Sequence, residues 1–483
     1  MTFPAIQRVL GILLTMFSVT MLPPLAVAVM FSDGSWPAFT ASFFIILVSG
    51  LLIWLPVREE NRDLRLRDGF LVVALFWFVL GLFGAAPLLI NNNPSMSFTD
   101  AVFESMSGLT TTGATVLSGL DQLPPAILFY RQQLQWFGGL GIIVLAIAVL
   151  PMLGVGGMQL YRAETPMLVK DTKLTPRVTE TAKALLRIYV GITFLCAASY
   201  WAAGMSIFDA ICHAFSTVAI GGFSTHDQSI AYFNSDLIEM IAVVFMFLAG
   251  VNFSLHFIAW REKKFGSYFI DPEFRAYFKY LCGLIIVALA YLAWNEEYST
   301  FREIFTKGLF QVVSIATTTG FTTDSFSLWS GGLPVLLILA SFVGGCAGST
   351  AGGIKVIRWA LMYKQGAREL QRLLHPSAEL PVKLGERAVD QRVVDAVWGF
   401  FAVYIVVFGL LLVVFLSNGL DQESAFAAVA ATLNNLGPGL GEVASGFAST
   451  NTVVKWSAVC AMLLGRLEIF TLLVLVTPSF WRR

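Results

Sequence analysis

The sequence predicts an all-α polytopic membrane protein, in which about ten transmembrane helices include four pseudo-fourfold helix–pore loop–helix repeats around one pore. Three observations predict this fold. The composition is too apolar for a soluble chain, many segments are long and apolar enough to cross a bilayer, and four shorter apolar segments between them each lead into a glycine.

The composition requires contact with lipid. The chain has 483 residues, of which 57% are hydrophobic and 13% are charged, and its mean hydropathy is +0.74. Soluble domains carry about 25% charged residues. This chain therefore has too few polar groups to cover its apolar surface, and lipid must cover part of it. The formal net charge is zero and no basic block occurs, which argues against nucleic acid as a partner.

Ten segments are candidates for membrane spans, because a helix needs about 20 mostly apolar residues to cross the hydrocarbon core. With ten spans, both termini are expected on the same side of the membrane. We expect the first span to bend at Pro23 and Pro24. The ten segments are about 5–30, 36–57, 69–91, 126–152, 185–204, 235–260, 276–294, 333–361, 394–417 and 453–477.

The charges of the loops predict the orientation. Basic residues fall in alternate loops, which the positive-inside rule makes cytoplasmic, together with both termini. The opposite loops are mildly acidic, and they either concentrate cations in an outer vestibule or carry ordinary solvated charges. The basic residues are Arg58, Arg62, Arg65, Arg67, Arg162, Lys170, Lys173, Arg177, Lys183, Arg187, Arg261, Lys263, Lys264, Lys364, Arg368, Arg372, Arg482 and Arg483. The acidic residues are Asp121, Asp227, Asp236, Glu296, Glu297, Asp324, Asp421 and Glu423.

A repeated motif follows the third, fifth, seventh and ninth spans. The four copies read FTDAVFESMSGLTTTGAT (98–115), IFDAICHAFSTVAIGGFS (207–224), FTKGLFQVVSIATTTGFT (305–322) and ESAFAAVAATLNNLGPGL (423–440). They align on Gly113, Gly222, Gly320 and Gly437. Each copy is too short to cross the membrane, so we predict four units of helix, re-entrant half-helix, glycine-containing strand and helix.

These four strands predict a path for a small cation. Non-helical backbone at membrane depth is tolerated only where protein buries it or where it lines a water-filled cavity. Four strands around one axis can form a ring of carbonyl oxygens that replaces the hydration shell of a monovalent cation. The strands hold no soft or charged ligands, which argues against a transition metal or a divalent ion. The alternative is that each loop is a re-entrant turn whose glycine serves packing.

Three classes of function come into question for such a chain. A gated conducting subunit needs no chemical fuel, because a membrane potential of 100 mV contributes about 2.3 kcal/mol per unit charge. A proton- or sodium-coupled transporter needs buried acids, for which Glu104 and Glu468 are the serious candidates. The histidines share no ligand spacing, and no nucleophile motif or Walker loop occurs, so the chain is not predicted to be an enzyme. We interpret His213, on a pore helix, as a packing or hydrogen-bonding residue.

The most specific stretches are SGLTTTGATVL (107–117), IATTTGFTTD (315–324), GGCAGSTAGGIK (344–355), ATLNNLGPG (431–439) and GRLEIF (465–470). They resemble the Trk/Ktr/HKT superfamily of potassium transporters, and most closely the bacterial TrkH/TrkG family. The resemblance implies potassium uptake across the bacterial cytoplasmic (inner) membrane through a channel-like pore, with K⁺ as the transported ion. The alternatives are a proton- or sodium-coupled potassium symporter and a poorly selective monovalent cation channel.

The resemblance also implies the residues of the selectivity filter. Gly113 stands where sodium-selective plant relatives have serine, which favours potassium. The second and fourth strands depart from Thr-Thr-Thr-Gly, so strict discrimination between potassium and sodium stays open. The implied filter residues are Thr110, Thr111, Thr112, Gly113, Ala219, Ile220, Gly221, Gly222, Thr317, Thr318, Thr319, Gly320, Asn434, Asn435, Leu436 and Gly437.

A glycine-rich run in the second helix of the third repeat predicts a break in that helix, since each glycine costs a helix about 1 kcal/mol relative to alanine. Close helix packing through small residues is the alternative. Related proteins use this loop as the gate, and Arg466 resembles the family arginine below the filter; a buried ion pair is the alternative for Arg466. Arg466 and Glu468 are two residues apart, so we do not expect them to pair. We expect Lys355 to extend to the cytoplasm. The implied gate residues are Gly344, Gly345, Cys346, Ala347, Gly348, Ser349, Thr350, Ala351, Gly352, Gly353 and Arg466.

The chain is predicted to divide into five units. Two leading helices occupy 1–67, and the pore repeats occupy 68–165, 166–265, 266–392 and 393–483, the third with the gate loop and a cytoplasmic segment. By resemblance, the protein is a homodimer and assembles with a cytosolic TrkA-like ring that binds NAD, ATP or ADP. This chain itself is expected to bind no organic cofactor. The predicted docking surfaces are 160–187, 261–279 and 362–392.

Overall fold

The computed structural model describes residues 3–60, 66–148, 178–378, 380–385 and 387–482. Helices dominate these ranges, and a short antiparallel hairpin of β1 (Lys383–Leu384) and β2 (Arg387–Ala388) lies on the segment between the third and fourth repeats. Arg62, Arg65 and the basic residues between 162 and 177 lie outside the described residues, as does most of the first predicted docking surface.

The leading unit consists of α1 (Phe3–Ser18), α2 (Leu22–Phe31) and α3 (Trp36–Trp54), and α1 packs along α3. A 3₁₀ turn at Val19–Met21 separates α1 from α2. Pro23 and Pro24 lie in the first turn of α2, where a missing N–H removes no helical hydrogen bond. The chain continues through this turn as one span of 29 residues, Phe3–Phe31, which is not among the sharply bent pairs, so the expected bend at the prolines is limited to a 3₁₀ turn just before them.

Each of the four repeats contains an outer helix, a pore helix and an inner helix, as predicted. Repeat 1 holds α4 (Leu66–Gly84), α5 (Ala86–Ile90), pore helix α6 (Phe98–Leu109) and α7 (Pro125–Ala148). Repeat 2 holds α8 (Val178–Ala202), pore helix α9 (Ile207–Ala219), α10 (Asp236–Ala249) and α11 (Phe253–Glu262), followed by α12 (Gly266–Ile270). Repeat 3 holds α13 (Pro272–Trp294), pore helix α14 (Phe301–Ala316), α15 (Leu333–Ser341) and α16 (Val356–Leu374). Repeat 4 holds α17 (Gln391–Ser417), pore helix α18 (Gln422–Leu433), α19 (Thr452–Arg466), α20 (Phe470–Val476) and α21 (Pro478–Trp481).

The inner helices are less regular than the sequence predicts. Six described helical stretches are long and apolar enough to cross a membrane, and two further stretches are pairs of helices joined by a sharp bend. The segments predicted as single spans at about 235–260 and 453–477 bend by 94° between α10 and α11 and by 114° between α19 and α20. Hydropathy misses both bends because each pair of helices is apolar enough on average to pass as one span, despite the polar or charged residues at the joint. Asn252 marks the first bend, since its side chain accepts a hydrogen bond from Ser254 N and caps α11.

The four pore helices begin with the same local interaction. In each, the N-cap side chain accepts a hydrogen bond from the backbone amide three residues later, which satisfies one of the unpaired amides of the first turn. The four N-caps are Ser97, Ser206, Thr300 and Asp421. Each of the four helices ends at a glycine-containing strand, and the last residues of each helix are buried.

Candidate ion-conduction site

The four glycine-containing strands share one backbone conformation. In each strand the filter glycine has a positive φ of 77° to 94°, and the residue two positions earlier is also left-handed, with φ of 54° to 68°. A left-handed conformation is uncommon for residues other than glycine, so its recurrence at one position of four different sequences marks a common geometry. The glycines are Gly113, Gly222, Gly320 and Gly437, and the earlier residues are Thr111, Ile220, Thr318 and Asn435.

Each left-handed residue ends a pore helix in the same way. The amide of the following residue donates to the carbonyl five residues before it, at 2.8–2.9 Å, which is the bond of a helix-terminating Schellman motif. The bonds run from Thr112 N to Ser107 O, Gly221 N to Ser216 O, Thr319 N to Ser314 O and Leu436 N to Ala431 O. The four pore helices therefore end with the same hydrogen bond, although the strands read TTTG, AIGG, TTTG and NNLG.

The four strands form a closed ring. A Cβ atom added to Gly113 would collide with the carbonyl oxygen of Gly221 in the next repeat, and one added to Gly222 would collide with Thr319 O. The series continues from Gly320 to Leu436 O and from Gly437 to Thr112 O, at 2.7 Å in the last case. In every repeat the oxygen belongs to the residue before the glycine. The ring therefore contains the four aligned glycines and the residue before each, and glycine is required because a side chain would strike the neighbouring strand. The assignment of the sixteen predicted residues to a selectivity filter stays a prediction.

The ring offers oxygen ligands and negative potential. Backbone carbonyls at this spacing can replace the water around a monovalent cation, and the C-terminal ends of four pore helices add about half a negative charge each. The described residues contain no group of three or more His, Cys, Asp or Glu side chains that could hold a metal ion. The oxygen atoms and the helix ends together suit a monovalent cation.

Two glutamines on α7 brace the second strand, and the sequence motifs did not reveal them. Gln135 Nε2 donates to Gly221 O at 2.6 Å, and Gln135 Oε1 accepts from Phe223 N at 3.1 Å. Gln132 Nε2 donates to Phe223 O at 3.2 Å. The signal was the run of polar residues Arg-Gln-Gln-Leu-Gln inside an apolar helix, since buried polar side chains need partners.

The two Thr-Thr-Thr-Gly strands share a further interaction. Thr110 Oγ1 lies 2.7 Å from Thr112 Oγ1, and Thr317 Oγ1 lies 2.8 Å from Thr319 Oγ1. The fourth strand uses asparagines instead. Asn435 Nδ2 donates to Thr112 Oγ1 at 3.0 Å and to Met462 O at 2.9 Å, which ties the fourth strand to the first. In the fourth strand, which lacks the Thr-Thr-Thr-Gly motif, an asparagine side-chain amide that bonds the first strand therefore takes the place of the threonine hydroxyl contact within a strand.

A buried ion pair supports the first two strands. Arg131 Nε lies 2.7 Å from Glu104 Oε1, and both side chains are at most 1% exposed. Glu104 also accepts from Thr115 and from Val116 N, while the Arg131 guanidinium lies 4.1 Å above the Phe223 ring. Glu104 is thus held by fixed donors beside the filter, which is the environment of a structural carboxylate rather than of a proton carrier.

The predicted break in the third inner helix is present. Residues 342–355, which we call the inner loop, connect α15 to α16 without helical structure and are mostly buried. Cys346 N donates to Gly250 O at 2.8 Å and Ala347 N donates to the Glu273 carboxylate at 2.7 Å, so the loop is fixed to repeat 2 and to the start of α13. Phe253 N donates to Gly348 O at 3.1 Å.

Four consecutive residues of the inner loop contact the inner end of the filter. Thr350 Oγ1 donates to Val218 O at 2.9 Å, Gly352 N donates to Thr318 Oγ1 at 2.7 Å, and Gly353 N donates to Asn434 O at 3.0 Å. Ala351 lies in a small buried apolar cluster with Ile220 and Ala249. The loop therefore lies directly beneath the strands of repeats 2, 3 and 4.

Arg466 connects the inner loop to repeat 1. Its Nη1 donates to Thr350 O at 3.0 Å and its Nη2 donates to Gly138 O on α7 at 3.2 Å. The side chain is 3% exposed. A buried guanidinium therefore places a positive charge beside the inner end of the ring.

Glu468 pairs with Arg358 rather than with Arg466, as the helix geometry predicted. Arg358 Nη2 lies 2.6 Å from Glu468 Oε2, and the Arg358 guanidinium lies 4.4 Å above the Phe400 ring. The expectation for Lys355 was wrong. Its side chain is buried, and its Nζ donates to Ala351 O within the inner loop instead of extending to the cytoplasm. The positive φ of Lys355 turns the chain back towards the loop before α16 begins.

A histidine joins the outer loops of repeats 1 and 2. His226 Nδ1 lies 2.5 Å from Asp121 Oδ1, its Nε2 lies 3.4 Å from Asp209 Oδ1, and its ring stacks on Tyr232. Burial lowers the pKa of His226, but the hydrogen bonds and charges of Asp209 and Asp121 outweigh it, so the pKa lies above its usual value. His213 bonds Asp209 O and Ser224 Oγ, both at 2.9 Å, in agreement with its interpretation as a hydrogen-bonding residue.

Comparison with known proteins agrees with this architecture. The family described as "TrkH: Cation transport protein" matches residues 35–483. Over the full length of both chains, the sequence is 56% identical to the Trk system potassium uptake protein TrkH of Halomonas elongata and 54% identical to that of Escherichia coli K12. It is 40% identical to TrkG of Escherichia coli K12, covering 99% of this chain and 98% of TrkG.

The crystal structure of the potassium transporter TrkH from Vibrio parahaemolyticus superposes with a TM-score of 0.93 at 54% identity, covering 100% of both chains. The family description and the names of these relatives refer to transport rather than catalysis, as the sequence predicted. The fold is that of a polytopic α-helical membrane protein, and the chain belongs to the TrkH family of cation transport proteins.

Proposed function

We propose that this chain takes up potassium across the bacterial cytoplasmic membrane by conducting K⁺ through the four-strand ring. The observation that carries the proposal is the closed series of carbonyl oxygens, one from each repeat, held by a backbone conformation that four different sequences share. Carbonyl rings of this kind replace the hydration shell of a monovalent cation. The relatives named as potassium uptake proteins support K⁺ as the substrate.

We further propose that the inner loop and Arg466 are the gate. The loop lies beneath three strands, and Arg466 extends this obstruction to repeat 1 through Gly138. A path obstructed by backbone and by a guanidinium excludes a cation on both steric and electrostatic grounds. Movement of the inner loop away from the ring would open this path to the cation. Removal of residues 346–351 should therefore leave a leakier conduit.

The test of uptake is growth of a potassium-uptake-deficient bacterium on low potassium. The intact chain, expressed with its cytosolic partner, is expected to restore growth and to accumulate Rb⁺ as a K⁺ surrogate. The same strain carrying the vector without this gene is the control for background uptake. A chain that reaches the membrane in normal amounts but restores neither growth nor Rb⁺ uptake would overturn the proposal.

Coupling to protons or sodium is the second candidate, and the described residues do not favour it. Glu104 and Glu468, the two acids considered for a coupling site, are each paired with an arginine. A coupled transporter needs an acid that exchanges its ion during the cycle. We therefore retain conduction driven by the membrane potential as the proposed mechanism.

We also propose a homodimer with a pore in each chain, cytoplasmic termini, and a cytosolic TrkA-like ring that binds NAD, ATP or ADP. The basic residues of alternate loops support this orientation. On the cytoplasmic side, α16 presents exposed Tyr363, Leu370 and Leu373 together with Lys364 and Arg372, a surface suited to a protein partner. Co-purification of the ring with the intact chain, and its loss on substitution of this surface, tests the assignment.

A further inference from the structure

The inner loop takes over interactions that a cation below the filter would otherwise make. The last carbonyls of a helix have no partner within the helix, and in a pore helix they carry the negative end of its dipole towards the centre. Two such carbonyls, Val218 O at the end of α9 and Asn434 O at the end of α18, accept hydrogen bonds from the loop. The acceptors that would stabilise a cation at the inner end of the filter are occupied by donors of the protein itself.

The donors lie in one short stretch of chain. They are the Thr350 hydroxyl and the amides of Gly352 and Gly353. Three of the four residues 350–353 therefore donate a hydrogen bond to the inner end of the ring. Arg466 adds a full positive charge, and it is held in place by the carbonyl of Thr350. Together these groups supply what a bound cation supplies, namely positive charge directed at carbonyl and hydroxyl oxygens.

The side chain of Thr318 is the most specific part of this contact. The left-handed position is occupied by Thr111, Ile220, Thr318 and Asn435 in the four repeats. At this position Thr318 accepts a hydrogen bond from the loop backbone, through its Oγ1 from Gly352 N, whereas Asn435 bonds the first strand. Because Gly352 is buried, its amide loses water when the loop closes and requires this acceptor.

We propose that the inner loop closes onto a binding site for the transported monovalent cation at the inner end of the ring. Closure of the loop and occupancy of this site by the cation therefore exclude one another. Thr318 is the positioning residue that holds the closed loop. The inference rests on the proposed gate. It adds that the permeant ion is itself a ligand that opens the loop: rising K⁺ shifts the population to the open loop, because K⁺ binds the state in which Val218 O and Asn434 O are available.

The loop contains its own reporter. Cys346 is 1% exposed and is anchored through its amide to Gly250 O, so its alkylation by iodoacetamide requires displacement of the loop. The experiment measures the rate of Cys346 alkylation by mass spectrometry in the intact chain, at constant ionic strength, as K⁺ replaces N-methyl-D-glucamine. Cys196, which is fully buried on α8, serves as the internal reference. We expect the Cys346 rate to rise saturably with K⁺ while the Cys196 rate stays constant.

Substitution of Thr318 tests whether its hydrogen bond to Gly352 N holds the closed inner loop, as distinct from a general destabilisation of the protein. Thr318→Val keeps the shape of the side chain but leaves the Gly352 amide without its acceptor, so the Cys346 rate without K⁺ should rise about tenfold. Thr432→Val is the matched control, because the hydroxyl of this equally buried threonine bonds Ala428 O within α18. It should leave the Cys346 rate near that of the unmodified chain.

The outcomes distinguish this inference from the proposed gate. Suppose that Gly352→Ala raises the flux, but the Cys346 alkylation rate is the same in K⁺ and in N-methyl-D-glucamine. This result would overturn the competition between the cation and the loop and would leave the proposed gate intact. Flux that is unchanged by Gly352→Ala would overturn the gate. Equal Cys346 alkylation rates in Thr318→Val and Thr432→Val would show that Thr318 does not hold the closed inner loop.

Discussion

At the scale of single residues, the site depends on buried polar side chains with fixed partners. Gln135 bonds a filter carbonyl, Asn435 links two strands, and Glu104 pairs with Arg131 behind the first strand. In a water-poor interior each of these groups would be costly without its partner. The ring is therefore held from outside by side chains, and its backbone geometry does not depend on strand sequence alone.

The Glu104–Arg131 pair provides a prediction for stability. Glu104→Gln leaves a buried guanidinium without its counter-charge, which should cost about 3–5 kcal/mol and lower the thermal unfolding midpoint of the detergent-solubilised protein. Glu59→Gln, which breaks the exposed pair with Arg58 at 3.2 Å, is the control and should change stability by about 0.5 kcal/mol or less. Equal midpoints for Glu104→Gln and Glu59→Gln would contradict the stabilising role of the buried pair.

The outer cluster of His226 provides a prediction of pH dependence. Its pKa is raised in the folded protein, so its contribution to stability is fully present below the unfolded value of about 6.5 and is lost as pH rises through the folded value. The pKa of Asp121 is lowered: burial raises it, but the hydrogen bonds from His226 and Asp227 N outweigh that, so Asp121 remains charged over this range. Asp209 and the ring of His213 also face His226.

The measurement is the thermal unfolding midpoint of the unmodified chain and of His226→Gln across pH. The unmodified chain should exceed His226→Gln by more at about pH 5.5 than at about pH 8, since protonated His226 interacts with both carboxylates. A difference that grows towards alkaline pH would contradict the assignment of a raised pKa to this histidine.

At the scale of elements, the sequence predicted the repeats better than the inner helices. Glycine spacing and the short apolar segments located all four pore loops, because a re-entrant helix and a filter glycine leave a local pattern. The bends at Asn252 and Glu468 were missed, because each depends on contacts with distant residues, such as Arg358 for Glu468. Lys355 was misplaced for a different reason: its acceptor, Ala351 O, is only four residues away, but it lies in a loop whose path the sequence does not specify.

The inner loop provides a prediction at this scale. A Cβ at Gly352 would collide with Asn434 O, which is backbone and cannot move aside cheaply, so Gly352→Ala should prevent closure and raise basal Rb⁺ flux in proteoliposomes. Gly366→Ala on α16 is the control: its Cβ would meet no atom within 4 Å, so alanine should fit there and leave flux unchanged. Equal flux in Gly352→Ala and Gly366→Ala would contradict a gate at the inner loop.

At the scale of the whole molecule, four repeats with one backbone plan have divided the remaining tasks. Repeat 1 contributes the buried ion pair and repeat 2 is braced by glutamines of α7. Repeat 3 contributes the inner loop and repeat 4 contributes Arg466. The pseudo-symmetry is strict where the cation would pass, at the positive φ of the four glycines, and is lost around it. This division explains why the strand sequences differ although their conformations agree.

The central claim is that the closed ring selects the ion, and Gly113→Ser tests it most directly. Serine at 113 would strike the carbonyl oxygen of Gly221 and displace the second strand. Gly119→Ser is the matched control, because Gly119 has a similar φ of +70° but no atom within 4 Å of its added Cβ, so it carries the same backbone strain without touching the ring.

The measurement is the ratio of K⁺ to Na⁺ flux in proteoliposomes that contain the unmodified chain or either variant. We predict that Gly113→Ser lowers this ratio about tenfold or more, which corresponds to a loss of about 1.4 kcal/mol of discrimination, while Gly119→Ser retains the ratio of the unmodified chain. A ratio that is unchanged in Gly113→Ser would contradict the account, because the ring would then not be the place where the ion is selected.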